Sequence, residues 1–147
     1  MIRQALTYDL AKKVAENRAE NLTLGISDIL PYIEAYVIPN CSLAVMDGDE
    51  PVAAFGIVPL WRGVGEAWMI PAKSHLRKPV ALGRHVKMGI LEMAEGLQLH
   101  RLQAAVKAEF EMGRRLVELI GFDRESLMPQ YGPDGDDYER FALLWRS

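Results

Sequence analysis

Residues 51–60, Pro-Val-Ala-Ala-Phe-Gly-Ile-Val-Pro-Leu, are apolar at nearly every position and sit between two turn signals, Asp47-Gly48-Asp49 and Trp61-Arg62-Gly63. A strand with one wet face alternates apolar and polar side chains, so a strand that does not alternate is covered on both faces. The run therefore demands a sheet with layers packed on both of its sides. Residues 42–46 and 64–70, the latter closed by Pro71, read as its neighbours in an antiparallel meander. Residues 2–6 form a further short strand, and Thr7 caps a helix whose apolar stripe is Leu10, Ala11 and Val14. After the polar stretch 17–21, Ser27 is a second N-cap, with Asp28 in the first turn and Pro31 early enough to break no helical bond. Ile29, Ile33, Tyr36 and Val37 give that helix its buried face, and Pro39-Asn40 ends it.

The second half alternates. Residues 79–97 carry Leu82, Val86, Ile90, Met93 and Leu97 at helical spacing, and 101–106 is a strand. Residues 108–120 form a helix with Gly113, Leu116, Val117 and Ile120 facing inward, stopped by Gly121 and followed by the apolar Phe122. Strands at 123–128 and 139–145 flank the turn Pro133-Asp134-Gly135. The order β-α-α-β-β-β-α-β-α-β-β predicts an α/β (α+β) fold with helices on the faces of a sheet.

At 147 residues the chain is expected to form one domain, 1–147, able to hide roughly two thirds of its unfolded surface. Hydrophobic residues make up 50% and charged residues 25%, which excludes disorder, collagen and coiled coil. The lone Cys41 excludes an internal disulfide and a Cys-rich zinc site, fits a reducing compartment, and no metal is expected. No apolar run approaches the roughly 20 residues of a membrane helix, and residues 1–10, with Arg3 and Asp9, lack a signal-peptide core. These features predict a cytoplasmic, non-spanning protein. Its net charge of −3 argues against a bulk nucleic-acid binder.

Charge is nonetheless concentrated. Residues 67–91 hold Lys73, Arg77, Lys78, Arg84 and Lys87, with His75 and His85 and no acid, a charge of +5; the remainder, 12 basic against 20 acidic residues, carries −8. Pro79 suits the first helical position, leaving the amides of Val80, Ala81 and Leu82 aimed at the preceding loop. Free amides, a helix dipole and nearby cations make an anion site, with phosphate or pyrophosphate as the natural guest. The competing reading is a solvated basic helix start. Neither GxGxxG nor GxxxxGK[ST] occurs, which disfavours a Rossmann dinucleotide site and a nucleoside triphosphatase.

Residues 65–145, above all His-Arg-Leu-Gln-Ala-Ala-Val (100–106) and Gly-Arg-Arg-Leu-Val-Glu-Leu-Ile-Gly-Phe (113–122), resemble the GCN5-related N-acetyltransferase (GNAT) superfamily. More narrowly, 51–59 and Glu-Ala-Trp-Met-Ile (66–70) are similar to divergent members encoded by tailed bacteriophages. The resemblance implies the acyl-CoA N-acyltransferase fold, a mixed sheet of about six to seven strands with about four helices on its faces. It implies binding of acetyl-CoA or CoA, with the pantetheine arm on the backbone of Met69, Ile70 and Pro71. The pyrophosphate would sit on amides from Leu76 through Val80, Ala81 and Leu82, and Lys73, Arg77, Lys78 and Arg84 would meet the phosphates. It implies transfer of acetyl to an amine of a host protein or small molecule by direct attack, in a bacterial host's cytoplasm if the chain is phage-encoded.

The chain departs from the family pattern in three places. Residues 74–82 contain no glycine, Phe110 falls where the family often has Asn, and Val117 falls where it has the Tyr that reprotonates the thiolate. Those departures support an alternative, a weak or inactive scaffold that binds and modulates a host protein. Glu66, sharing a strand face with Trp68 and Ile70, is the candidate base, because partial burial beside an indole improves a carboxylate for that role; the competing reading pairs it with solvent or an Arg. His75 is the second acid–base candidate, His85 flanks the basic helix and His100 is structural. Tyr131 and Tyr138 flank the acidic turn of Asp134, Asp136 and Asp137, which would attract a cationic amine or simply be a solvated loop. Met88, Met93 and Met112 read as core, Cys41 as a buried thiol, and Trp61 as a turn residue that anchors a partner or folds back on the sheet.

Overall fold

The computed structural model describes residues 1–18, 32–73 and 79–146, with Pro79 described by its main chain only. Its elements run β1 (Ile2–Ala5), α1 (Tyr8–Glu16), α2 (Ile33–Tyr36), β2 (Ser42–Asp47), β3 (Glu50–Trp61), β4 (Val64–Pro71), α3 (Pro79–Gly96), β5 (Arg101–Lys107), α4 (Glu111–Ile120), β6 (Asp123–Met128) and β7 (Tyr138–Leu144). This is the predicted order. The Ser27 cap, Asp28, Ile29 and Pro31 lie outside the described residues.

All seven strands join one sheet in the order β1-β2-β3-β4-β5-β7-β6. Every neighbouring pair is antiparallel except β4 and β5, which run parallel, so the sheet is mixed. As the run of apolar residues requires, β3 is buried from Pro51 to Ile57. Ala53, Phe55 and Ile57 pack toward α3 and α4, with Val86, Ile90 and Val117. Ala54, on the other face, joins Ala11, Val14, Ile33 and Ile70 beneath α1 and α2. Burying a side chain such as Phe55 contributes about 1.5–3 kcal/mol, so two complete faces hold β3 at the centre.

Local signals set several boundaries. Leu10 N donates to Thr7 Oγ1 at 3.2 Å, capping α1. Gly121, at φ +117°, stops α4, and Phe122 N donates to Val117 O at 2.9 Å, the six-residue closure of a Schellman stop. The predicted start of α4 at 108 is early by about one turn, since the helix begins at Glu111. Ala108 N donates to Asp137 O, a tertiary bond, and Phe110 N to Lys107 O in a local turn, so this stretch stays out of the helix. The last strand includes Tyr138 and ends at Leu144, Trp61 closes β3 with 68% of its surface exposed, and Met93 is buried while Met88 and Met112 are exposed. Met88 follows the buried Val86 by two residues, about 200° around the helix, which turns it outward. No helix among the described residues is long and apolar enough to cross a membrane.

Candidate functional site

The parallel pair is short. Val64, Gly65 and Glu66 pair with Arg101, Leu102 and Gln103, and there the β4–β5 ladder stops. Beyond it β4 continues against β3 alone as far as Pro71 opposite Ala53, and β5 continues against β7 alone as far as Lys107 opposite Tyr138. The two strands splay, and a cavity of about 250 Å³ opens between them.

Register shows that the cavity passes through the sheet. Partners across a ladder share a face, so Glu66 and Trp68 lie on the side of Gln103, Ala105, Lys107, Tyr138 and Arg140, the side of α1 and α2. Ala67, Met69, Ala104 and Val106 lie on the side of α3 and α4. The α3/α4 mouth is apolar, lined by Val86, Ile90, Phe110, Gly113, Leu116 and Val117; the opposite mouth is aromatic and polar, lined by Tyr36, Glu66, Trp68, Lys107, Tyr131 and Tyr138.

At the polar mouth Arg140 Nη1 donates to both oxygens of Glu66, at 2.9 and 2.8 Å, and the guanidinium lies 5.9 Å from the centre of the Tyr131 ring. Of the two sequence readings of Glu66, the Arg-paired carboxylate describes its resting contacts. Tyr36 packs on Trp68 at 5.2 Å and Tyr131 on Tyr138 at 5.4 Å. Burial, then the nearby Tyr131 and Glu66, push the Tyr36 phenol above its ordinary range. Tyr138 is 1% exposed; burial first, then Asp136, Tyr131 and Asp134, push its phenol up to about 12. Lys107 Nζ, 3.2 Å from Asp136, ties the β6–β7 loop to β5. On the reverse face of β7, the buried Glu139 accepts from Arg114 of α4 and Arg124 of β6, clasping helix and hairpin together.

The structure gathers some of the sequence candidates and separates others. Glu66, Met69, Ile70 and Pro71 all line the cavity, as do Phe110 and Val117. Lys73 is exposed just beyond β4, its amide donating to Asn17 O at 2.7 Å. Val80, Ala81 and Arg84 are exposed on the first turns of α3, whereas the Leu82 side chain is buried in the core. His75, Leu76, Arg77 and Lys78 lie outside the described residues. His85 faces Arg3, whose Nη1 lies 3.2 Å from Nδ1; burial, Arg3 and the chain's amino group lower its pKa, and it does not line the cavity. The His100 ring packs where a side chain on Gly63 would stand. Cys41 is buried, and burial raises its thiol pKa. Sequence reading took Tyr36 only as a buried helix position and missed it as a cavity residue, and took Tyr131 and Tyr138 only as flanking an acidic turn that would attract an amine; all three line the cavity. The period of two, which puts Tyr138 and Arg140 on one face of β7, was the available signal.

Among the described residues, a mixed sheet of seven strands carrying four helices, split after one short parallel pairing, is the GNAT-like acyl-CoA N-acyltransferase fold. Solved structures agree at low sequence identity. YncA from Salmonella typhimurium, solved with its cofactor acetyl-CoA, superposes with a TM-score of 0.78 at 16% identity, covering 99% of this chain and 94% of that one. The ribosomal-protein-alanine N-acetyltransferase of Brucella melitensis gives 0.78 at 18% identity, covering 99% and 100%. Spermidine N-acetyltransferase from Vibrio cholerae gives 0.73 at 17%, covering 98% and 95%. No protein-family model and no curated protein sequence matches the chain.

Proposed function

We propose that this chain is an acetyl-CoA-dependent N-acetyltransferase acting on an amine of a small molecule or a host protein. The observation that carries the reading is the β4–β5 splay, which opens a cavity through the sheet with an apolar mouth on one side and a polar, aromatic mouth on the other. The residues present fit an acyl-CoA. Apolar walls suit the pantetheine arm, and the β4 edge at Met69, Ile70 and Pro71, which has no β5 ladder, has main-chain groups to offer it. The exposed first turn of α3, with the amides of Val80, Ala81 and Leu82, suits a pyrophosphate together with Leu76. Lys73, Arg77, Lys78 and Arg84 supply positive charge for the phosphates. One buried phenol in the cavity, Tyr138, lacks a hydrogen-bond partner among the described residues.

Acetyl-CoA, when bound, supplies a thioester whose C–S bond breaks as the C–N bond of the product amide forms. The chain's task is to admit an amine and take its proton. Glu66 is the proposed proton acceptor. Because Arg140 holds both of its oxygens, it acts after that pairing loosens, or through a bridging water. His75 is the second candidate. Val117 and Phe110 carry no proton for the departing thiolate, so that proton comes from solvent or from the amine itself.

Calorimetric titration of acetyl-CoA and CoA, repeated on Lys78→Glu/Arg84→Glu, tests the reading. Saturable binding that is lost in the double variant, followed by an acetylated product in a panel of amines and host proteins, is expected. A folded wild-type protein that binds neither ligand at millimolar concentration overturns it.

Val117, Phe110 and the exposed Trp61 favour one second reading, a phage-encoded scaffold that binds a host protein without turnover. Its mark is a host protein that co-purifies and is released by Trp61→Ala, with no acetyl transfer to it.

A further inference from the structure

The cavity contains a polar group that the proposed chemistry leaves idle. Among the described residues, Tyr138 Oη is buried and has no hydrogen-bond partner. A buried donor without an acceptor is unfavourable, and native proteins tolerate it where water, an ion or a ligand completes the bond or where the group has a catalytic role. Trp68 Nε1 is in the same state, but it lies against β3, 3.0 Å from where a Cβ on Gly56 would stand. Both residues line the cavity, but Tyr138 is on the face of Glu66 at the end of the β5–β7 ladder beside the splay, and its hydroxyl is not backed by a neighbouring strand's glycine.

Resting on the proposed function, we propose that the Tyr138 phenol donates a hydrogen bond to the carbonyl oxygen of a bound acyl thioester and stabilises the negative charge that gathers there as the amine adds. The ring is held for this. It packs on Tyr131 at 5.4 Å, and a Cβ on Gly132 would come within 2.7 Å of its Cε1, so the loop lies directly on it. The Lys107–Asp136 pair pins that loop to β5. A donor fixed before the charge develops needs no reorganisation when it does. The phenol also keeps its proton at neutral pH, since its environment pushes it up to about 12. That makes it a hydrogen-bond donor and a poor source of a whole proton. Among the other cavity groups, Glu66 only accepts, Lys107 is held by Asp136 and Val117 has no donor; Tyr36 and Tyr131 are phenols too, but neither is among the buried groups without a partner.

Infrared difference spectra of acetyl-CoA labelled with carbon-13 at the thioester carbonyl, bound to wild type, Tyr138→Phe and Tyr131→Phe, test this. The carbonyl stretch is expected to move to lower frequency in wild type and Tyr131→Phe, and not in Tyr138→Phe. Acetyl-CoA affinity of Tyr138→Phe should fall about three- to tenfold, the scale of one neutral hydrogen bond, while affinity for CoA, which has no such carbonyl, stays constant. If Tyr138→Phe does not fold, Gly132→Ala, which pushes the ring, should diminish the shift instead. An undiminished shift in the Tyr138 variant, or in Gly132→Ala where it stands in, overturns this inference alone. A wild-type protein that binds neither acetyl-CoA nor CoA overturns the proposed function, and this inference with it.

Discussion

Glu139→Gln is the sharpest test of how the site's frame is held. The Glu139 side chain is 7% exposed and accepts from Arg114 on α4 and Arg124 on β6, so one carboxylate joins a cavity wall to the terminal hairpin. Burial pushes this carboxyl up, but the hydrogen bonds from Arg124 and Arg114, with their charges, outweigh it and leave it below its usual range. Removing one partner of a fully buried pair costs about 3–5 kcal/mol, because the other charge is stranded. Here the arginine side chains are 40% and 50% exposed and water can take them up. The loss then approaches that of charge-assisted hydrogen bonds, about 2 kcal/mol, or a fall in melting midpoint of about 4–8 °C for a chain of this size. The sign with pH follows. A carboxyl depressed in the folded state contributes its full stability above its unfolded pKa of about 4.3. That contribution is lost as pH falls through the folded value, where the protonated acid resembles Gln. Urea unfolding of both proteins should therefore differ at neutral pH and converge as pH falls below the usual carboxylate range. Equal stability at neutral pH, or a difference that persists undiminished in acid, would refute the account.

Three further outcomes are expected. Gly63→Ala should destabilise by about 1–3 kcal/mol in urea unfolding, because Gly63 sits at φ +82° and the new Cβ would stand 2.3 Å from the His100 ring. Gly89→Ala should destabilise despite gaining about 1 kcal/mol of helix propensity, because its Cβ would meet the Phe55 ring at 2.6 Å; a raised melting midpoint would show that α3 shifts freely. Tyr138, raised to about 12, should contribute stability that is fully present below its unfolded pKa of 10 and lost as pH rises from 10 toward 12. Wild type should thus lose about 2 kcal/mol more than Tyr138→Phe over that window, read by urea unfolding.

Much of the fold was legible because it is written in local periodicity. The unbroken apolar run of β3 announced two covered faces, and Pro51 to Ile57 are buried. Gly121-Phe122 marked the end of α4. The parity that put Glu66 beside Trp68 survives in the cavity wall. Pairing across long separations was not legible. Glu66 finds Arg140 74 residues away, and no pattern within either strand names the other. Tyr138 read as a loop residue because an acidic turn precedes it, yet the β5–β7 ladder claims it and buries it. Met88 was misread because methionine was counted without measuring its angle from Val86. The basic loop was legible as charge, but charge alone leaves its geometry open, and four of its candidates, His75, Leu76, Arg77 and Lys78, fall outside the described residues.

The place where β4 and β5 part has a bearing on descent. A cleft edged by two strands that have stopped pairing offers amides and carbonyls, and every amino acid except proline supplies both. Selection on such an edge acts on the path of the chain rather than on the letters along it. Substitutions there pass unnoticed provided they keep the path and avoid added bulk. A lineage can therefore rewrite most of its sequence and still preserve the opening, which fits a chain that shares its architecture with solved acetyltransferases at 14–18% identity. The same reasoning indicates where to look for what distinguishes it from them: the side chains on the rim, Tyr36, Glu66, Tyr131 and Tyr138, where identity is not interchangeable.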